Sequence, residues 1–176
     1  MEIGTMNAAQ LINQDSGIQE YYTPKIIVEA AWRTMGAIDL DPASSAVANQ
    51  WVNANRYFTA VEDGLSQSWE GRIWLNHPFG RKENPQWINK LMREWDCGNI
   101  EQACCITFAA TSEKWFQPLM AHPQCYLSPR TNYYLANGTK KRGVTKGSVV
   151  TYLGPMNKWL VFKSYFDSMG SIKVTL

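Results

Sequence analysis

A chain of 176 residues, 45% hydrophobic and only 18% charged with eight Trp, has the makeup of one soluble globular domain, which excludes intrinsic disorder and a coiled coil. No run approaches the roughly 18 apolar residues of a membrane-spanning helix and no secretory signal opens the chain, so a cytoplasmic protein is expected. Four Cys without a CxxC pair, two His and a net charge of +2 predict neither a metal site nor a disulfide framework, only buried reduced thiols.

In chain order, residues 1–20 mix Asn, Gln, Ser and Gly and read as a flexible N-terminal arm, with a single domain over 21–176. Thr23 as cap and Pro24 at the first helical position then predict a helix, with Ile26, Ile27, Ala30, Ala31 and Met35 at helical spacing and Gly36 as its stop. Residues 37–40 read as a buried strand closed by Asp41 and Pro42, so its carboxyl end presents acids. A second strand, 73–75, stops at Asn76, His77, Pro78, Phe79 and Gly80 because proline removes a donor and glycine permits a turn. A helix over 85–95, a strand over 103–108 and a helix over 112–120 follow. The segments 125–127, 149–153 and 159–162 are further strand candidates. Strand and helix alternating in this way predict an α/β sheet with helices on both faces and an antiparallel edge.

Ligands of such sheets bind beyond the carboxyl ends of the strands, where both short segments fall. A strand-end carboxylate suits a ribose hydroxyl or an ammonium group, and a cofactor combining a nucleoside with an amino acid offers both. The second segment places a side-chain amide acceptor, Asn76, next to the His77 carbonyl before Pro78 and an aromatic face, Phe79. Two acceptors and a stacking ring suit the amino group of a nucleobase, whose stacking contributes roughly 1–3 kcal/mol.

Charge is divided along the chain. Residues 1–113 hold eight Lys or Arg against fourteen Asp or Glu, and residues 114–176 hold nine against one. Lys140, Lys141, Arg142 and Lys146 fall in one stretch between Gly138 and Gly147, and Arg130 precedes them. Arg81 and Lys82 follow the Asn76 segment directly. Such clustering is what a surface facing phosphates requires, since each contact releases a counterion.

Several blocks in order resemble the phage-type DNA N-6-adenine methyltransferase (Dam) family: EYYTP at 20–24, DLDPA at 39–43, YFT at 57–59, DGLSQ at 63–67, WEGRIWLN at 69–76, the segment 108–116, and KGSVV at 146–150. The resemblance implies a Rossmann-like, S-adenosylmethionine-dependent enzyme that methylates the exocyclic amino group of an adenine flipped out of double-stranded DNA, without a metal, in the host cytoplasm if phage-encoded. By the same resemblance Tyr22, Thr23, Pro24, Asp39, Asp41, Pro42, Asp63 and Asn76 would border the cofactor. Asn76, His77, Pro78 and Phe79 would form the catalytic tetrad, with Asn76 Oδ1 and the His77 carbonyl holding the amino group. The family usually has proline where this chain has His77, which implies a looser loop and an added group that titrates near neutral pH. Two alternatives use the same residues: a DNA-binding protein whose catalysis His77 has weakened or abolished, and an amino methyltransferase for RNA, protein or a small molecule.

Overall fold

A computed structural model describes residues 21–135, 138–141 and 144–175. The expected arm, 1–20, and Arg142 lie outside the described residues. Helix α1 (Lys25–Met35) buries Ile27, Val28, Ala30, Ala31 and Met35 and ends at Gly36, whose φ of 85° is a left-handed stop. Its start differs from the expectation. Pro24 is the capping residue, its carbonyl taking the Ile27 amide at 3.0 Å, and the Thr23 hydroxyl caps nothing.

Beyond α1 come β1 (Leu40–Asp41), α2 (Asn49–Val52), β2 (Arg56–Tyr57), β3 (Gly71–Leu75), α3 (Glu83–Asp96), β4 (Ile100–Phe108), β5 (Gln124–Leu127), β6 (Ser148–Leu153), α4 (Trp159–Phe166) and β7 (Gly170–Lys173). They build a mixed seven-stranded sheet in the order β2-β1-β3-β4-β6-β5-β7. The β2, β1, β3 and β4 strands are parallel neighbours, and β6, β5 and β7 continue the sheet antiparallel. The antiparallel part is thus nearly half the sheet rather than an edge.

Side chains alternate across the strands, so the sheet has two apolar faces. Trp74, Cys104, Ile106, Val150 and Tyr152 share one core with α1 and α4. Ile73, Leu75, Ala103, Cys105, Val149 and Leu153 share the other with Trp87, Ile88 and Leu91 of α3. Helices therefore cover both faces, as the alternation of elements predicts. Of the thiols, Cys104, Cys105 and Cys125 are buried as expected, while Cys97 is exposed just past α3. No helix among the described residues is long and apolar enough to cross a membrane.

Two expectations fail locally. Residues 112–120 yield only a 3-10 turn, Gln117–Ala121. Residues 159–162 are helical rather than extended, because Phe162 and Phe166, four apart, both reach the core; Phe162 stacks on Tyr152 at 5.4 Å and meets Phe166 at 4.6 Å.

This topology decides where the chemistry lies. The carboxyl ends of β1, β3, β4 and β5 and the amino end of β6 share one rim of the sheet. At β1 the chain passes to β2 on one side and returns to β3 on the other, the switch point where a crevice opens.

Candidate functional site

A cavity of about 260 Å³ opens at this switch point, floored by Asp41 and Asn76, the residues that end or follow β1 and β3. Of the residues expected to border a cofactor, Tyr22, Thr23, Asp41, Pro42, Asp63 and Asn76 line it. Pro24 and Asp39 do not. Asp39 is instead a strut: its carboxylate accepts the Arg72 amide and Nε at 2.9 and 2.7 Å, Arg72 Nη2 at 2.9 Å and Asn55 Nδ2 at 3.1 Å. The Arg72 guanidinium holds this carboxyl below the usual range. Two residues apart, the acids of the DLDPA block differ in their place along the chain: Asp39 precedes β1 and is tied to Arg72 near the start of β3, while Asp41 ends β1 and meets the cavity.

Asp41 is 2% exposed, and burial pushes its carboxyl up to about 7 against the opposing pull of the Ser44 hydroxyl and the Ala43 amide. Thr23 is equally buried at 3%, and its hydroxyl, on the same cavity, has no hydrogen-bond partner among the described residues. Buried polar groups are normally paired, so an acid without a cation and an orphaned hydroxyl in one cleft fit a ligand that carries positive charge and polar atoms. Tyr22 is fixed beside them by its hydroxyl on Ser45 at 3.1 Å and by paired backbone bonds to Tyr134.

Asp63 lines the cavity from a turn. Its φ of 50° is left-handed, tolerated by Asp, and its Oδ1 accepts the Leu65 amide at 3.2 Å. The next residue, Gly64, sits so close to Pro42 that a Cβ there would lie 1.9 Å from the Pro42 carbonyl oxygen, while Trp69 Nε1 donates to the Gly64 carbonyl at 2.7 Å. Gly64→Ala is therefore expected to force the 63–64 turn off Pro42. The cost is about 2–3 kcal/mol, a fall of roughly 5–10 °C in Tm by calorimetry.

The tetrad follows β3. Asn76 Nδ2 donates to the Tyr21 carbonyl at 2.6 Å, and this fixes the amide with Oδ1 as its remaining acceptor. His77 departs from the expectation that it titrates near neutral pH. Its ring is 2% exposed, and burial lowers it to about 4, so it is neutral at pH 7. Nor is the loop loose, since His77 Nδ1–H donates to the Pro78 carbonyl at 2.9 Å and the ring lies parallel to Trp87 at 6.4 Å. Phe79 is 6% exposed and does not line the cavity. It belongs to an aromatic cluster with Phe108 at 4.6 Å, Tyr133 at 5.6 Å and Tyr21 at 6.5 Å.

The basic stretch comes to the same rim, because it leaves β5 and re-enters the sheet at β6 beside Phe108. Lys141 Nζ stands over Tyr21 at 5.9 Å, Lys146 over Phe108 at 5.4 Å and Lys140 over Tyr134 at 5.9 Å. Arg81 and Lys82 are exposed at the start of α3, and Arg130 is exposed after β5. The structure thus gathers the cavity, the tetrad and Lys140, Lys141 and Lys146 on one edge. The sequence reading missed Tyr21, Phe108 and Tyr133 around Phe79, and Trp51 and Trp87 on the cavity wall. Only the position of Tyr21 beside Tyr22 signalled one of them.

Compared with known proteins, the chain matches a family model described as DNA N-6-adenine-methyltransferase (Dam) over residues 13–167. No curated protein matches it significantly.

Proposed function

The chain belongs to the DNA N-6-adenine-methyltransferase (Dam) family, and from that footing we propose that it methylates N6 of an adenine turned out of double-stranded DNA, using S-adenosylmethionine on a Rossmann-like sheet. The observation that carries this reading is the Asn76 amide, fixed through Nδ2 on the Tyr21 carbonyl and lining the same cleft as Asp41 and Thr23. Asp41, Thr23, Tyr22, Pro42 and Asp63 are the residues that would hold the cofactor. When bound, the cofactor supplies an electrophilic methyl group on a positively charged sulfur.

The chain's own residues prepare the acceptor. Adenine's amino lone pair is delocalised into the ring, so the nitrogen is a poor nucleophile while it stays planar. Asn76 Oδ1 and the His77 carbonyl each accept one N–H and favour a tetrahedral nitrogen with its lone pair turned toward the cavity. Tyr21, the ring of the Phe79 cluster that lines the cavity, receives the base and offsets the few kcal/mol of unstacking. Pro78 lies between acceptors and ring and lines the cavity, which keeps the base edge against the donor side.

Backbone affinity comes from the rim. Lys140, Lys141, Lys146, Arg81, Lys82 and Arg130 contact phosphates on either side of the extruded nucleotide. With about four phosphates neutralised, raising salt from 50 to 200 mM weakens duplex binding roughly 10²-fold. Anisotropy titration of a labelled duplex checks this, and K141A with K146A should lower the salt slope. A salt-independent affinity would argue against DNA as the partner. The experiment that tests the reaction itself is methyl transfer from labelled donor into DNA, which must require Asn76.

A further inference from the structure

His77 stands where the resemblance to the family leads one to expect proline, and its ring is buried rather than exposed. The imidazole packs against two rings: Trp87 of α3, which lines the cavity, at 6.4 Å and 9°, and Phe79 of its own loop, which it meets edge-on at 5.5 Å. Its Nδ1–H donates to the Pro78 carbonyl, an oxygen that also accepts the Gly80 amide at 3.1 Å. Two donors converge on one carbonyl, so the 76–80 loop is tied around Pro78. The tie also fixes the tautomer: with Nδ1 protonated, Nε2 is an acceptor, and it is buried without a partner among the described residues. An unpaired buried acceptor costs about 1–3 kcal/mol. An aliphatic ring would carry no such cost, so packing alone does not account for an imidazole here.

We infer that the His77 side chain is a positioning residue that replaces the backbone restraint of a proline with a side-chain clamp, holding its own carbonyl and Asn76 Oδ1 in register for the amino group. The inference rests on the methyltransferase reading of the site. It assigns the imidazole no proton transfer, leaving catalytic contact to the His77 backbone oxygen. A proline at 77 restrains φ directly. A histidine does so through Nδ1, provided the ring stays neutral and desolvated, and its burial against Trp87 supplies that condition. Glu83, at the start of α3, is the acid that acts on the ring, and its pull toward protonation is outweighed by burial.

The test separates donor from bulk. H77F keeps an aromatic ring between Trp87 and Phe79 but has no Nδ1–H, whereas H77P restores restraint without a side-chain donor. With the full chain, H77F is expected to lower kcat for methyl transfer into DNA about 10–100-fold, as for a catalytic group displaced by a fraction of an ångström. Donor affinity and the KM for DNA should change little. H77P, which regains a backbone restraint, should recover most of the kcat that H77F loses. Equal kcat for H77F and the parent would overturn the clamp, and so would H77P being as slow as H77F. A measurement on the parent protein needs no turnover: long-range nitrogen NMR should show His77 as the Nδ1–H tautomer and neutral from pH 8 down to pH 5. Titration of His77 between pH 6 and 7 would contradict the inference even if the methyltransferase reading stands. If the parent transfers no methyl group to DNA, that reading fails, while the tautomer measurement still decides whether the clamp exists.

Discussion

Replacing Asn76 with Ala is expected to lower methyl transfer to DNA about 10²–10³-fold, the usual effect of removing one preorganised hydrogen-bonding group from the reacting centre. Duplex affinity should be nearly unchanged, because the basic rim that supplies it is untouched. The amide is oriented by the Tyr21 carbonyl, which takes Nδ2 at 2.6 Å, and this yields a sharper expectation for N76D. A carboxylate keeps an acceptor for the adenine amino group but sets a second oxygen against the Tyr21 carbonyl. Two acceptors facing one another repel, so the side chain must rotate away from its productive position. N76D should therefore be slow at neutral pH. Single-turnover rates with saturating DNA and donor would check both variants. An N76A enzyme as fast as the parent would remove this residue from the chemistry.

D41N is the second large effect, and it has opposite signs for binding and for stability. Burial raises the Asp41 carboxyl from its ordinary 3.8 to about 7, so the folded protein holds this proton more tightly than the unfolded chain. Between those two values, rising pH removes a proton that the folded state retains, and stability contributed by this group falls as pH rises from about 4 to about 7. A neutral amide carries no such cost, so D41N should raise the Tm of the free protein at pH 8. The same ionised carboxylate is what would attract a cationic donor. Donor affinity should grow about tenfold from pH 6 to pH 8 as Asp41 ionises. In D41N it should fall roughly 10²-fold at pH 8, the scale of losing one buried charge partner, and become flat with pH. Calorimetry at three pH values would check this. Lower thermal stability together with unaltered donor affinity would show Asp41 to be a structural acid.

Much of this site was legible because its residues sit at the ends of apolar strands. Runs such as 73–75 and 103–108 can only be buried, and their carboxyl ends converge in a parallel sheet, which brings Asp41 and Asn76 to one cavity. The clustering of lysines was also readable, but not that Lys141 and Lys146 would stand over Tyr21 and Phe108, since ring and cation come from distant segments. Asp39 misled for a physical reason: a strand-end acid reads as a ligand until its partner is known, and Arg72 lies 33 residues away. The β2 and β7 strands are short and carry no apolar run, so pairing with neighbours, not local pattern, extends them. Trp159–Phe166 misled in the opposite direction, its first four residues resembling a strand while Phe162 and Phe166 select a helix by their spacing. At His77 the sequence shows a titratable group, and only burial against Trp87 and the bond to Pro78 reveal that it stays neutral.

The central claim is that the cleft at the β1 and β3 ends delivers a methyl group to adenine N6. Purified protein incubated with S-adenosylmethionine labelled in the methyl group and unmodified double-stranded DNA, followed by digestion to nucleosides, measures it directly. The account predicts label in N6-methyladenine and its near-complete loss in N76A. Label confined to cytosine, or none in DNA under conditions where donor binding is demonstrated, would contradict it.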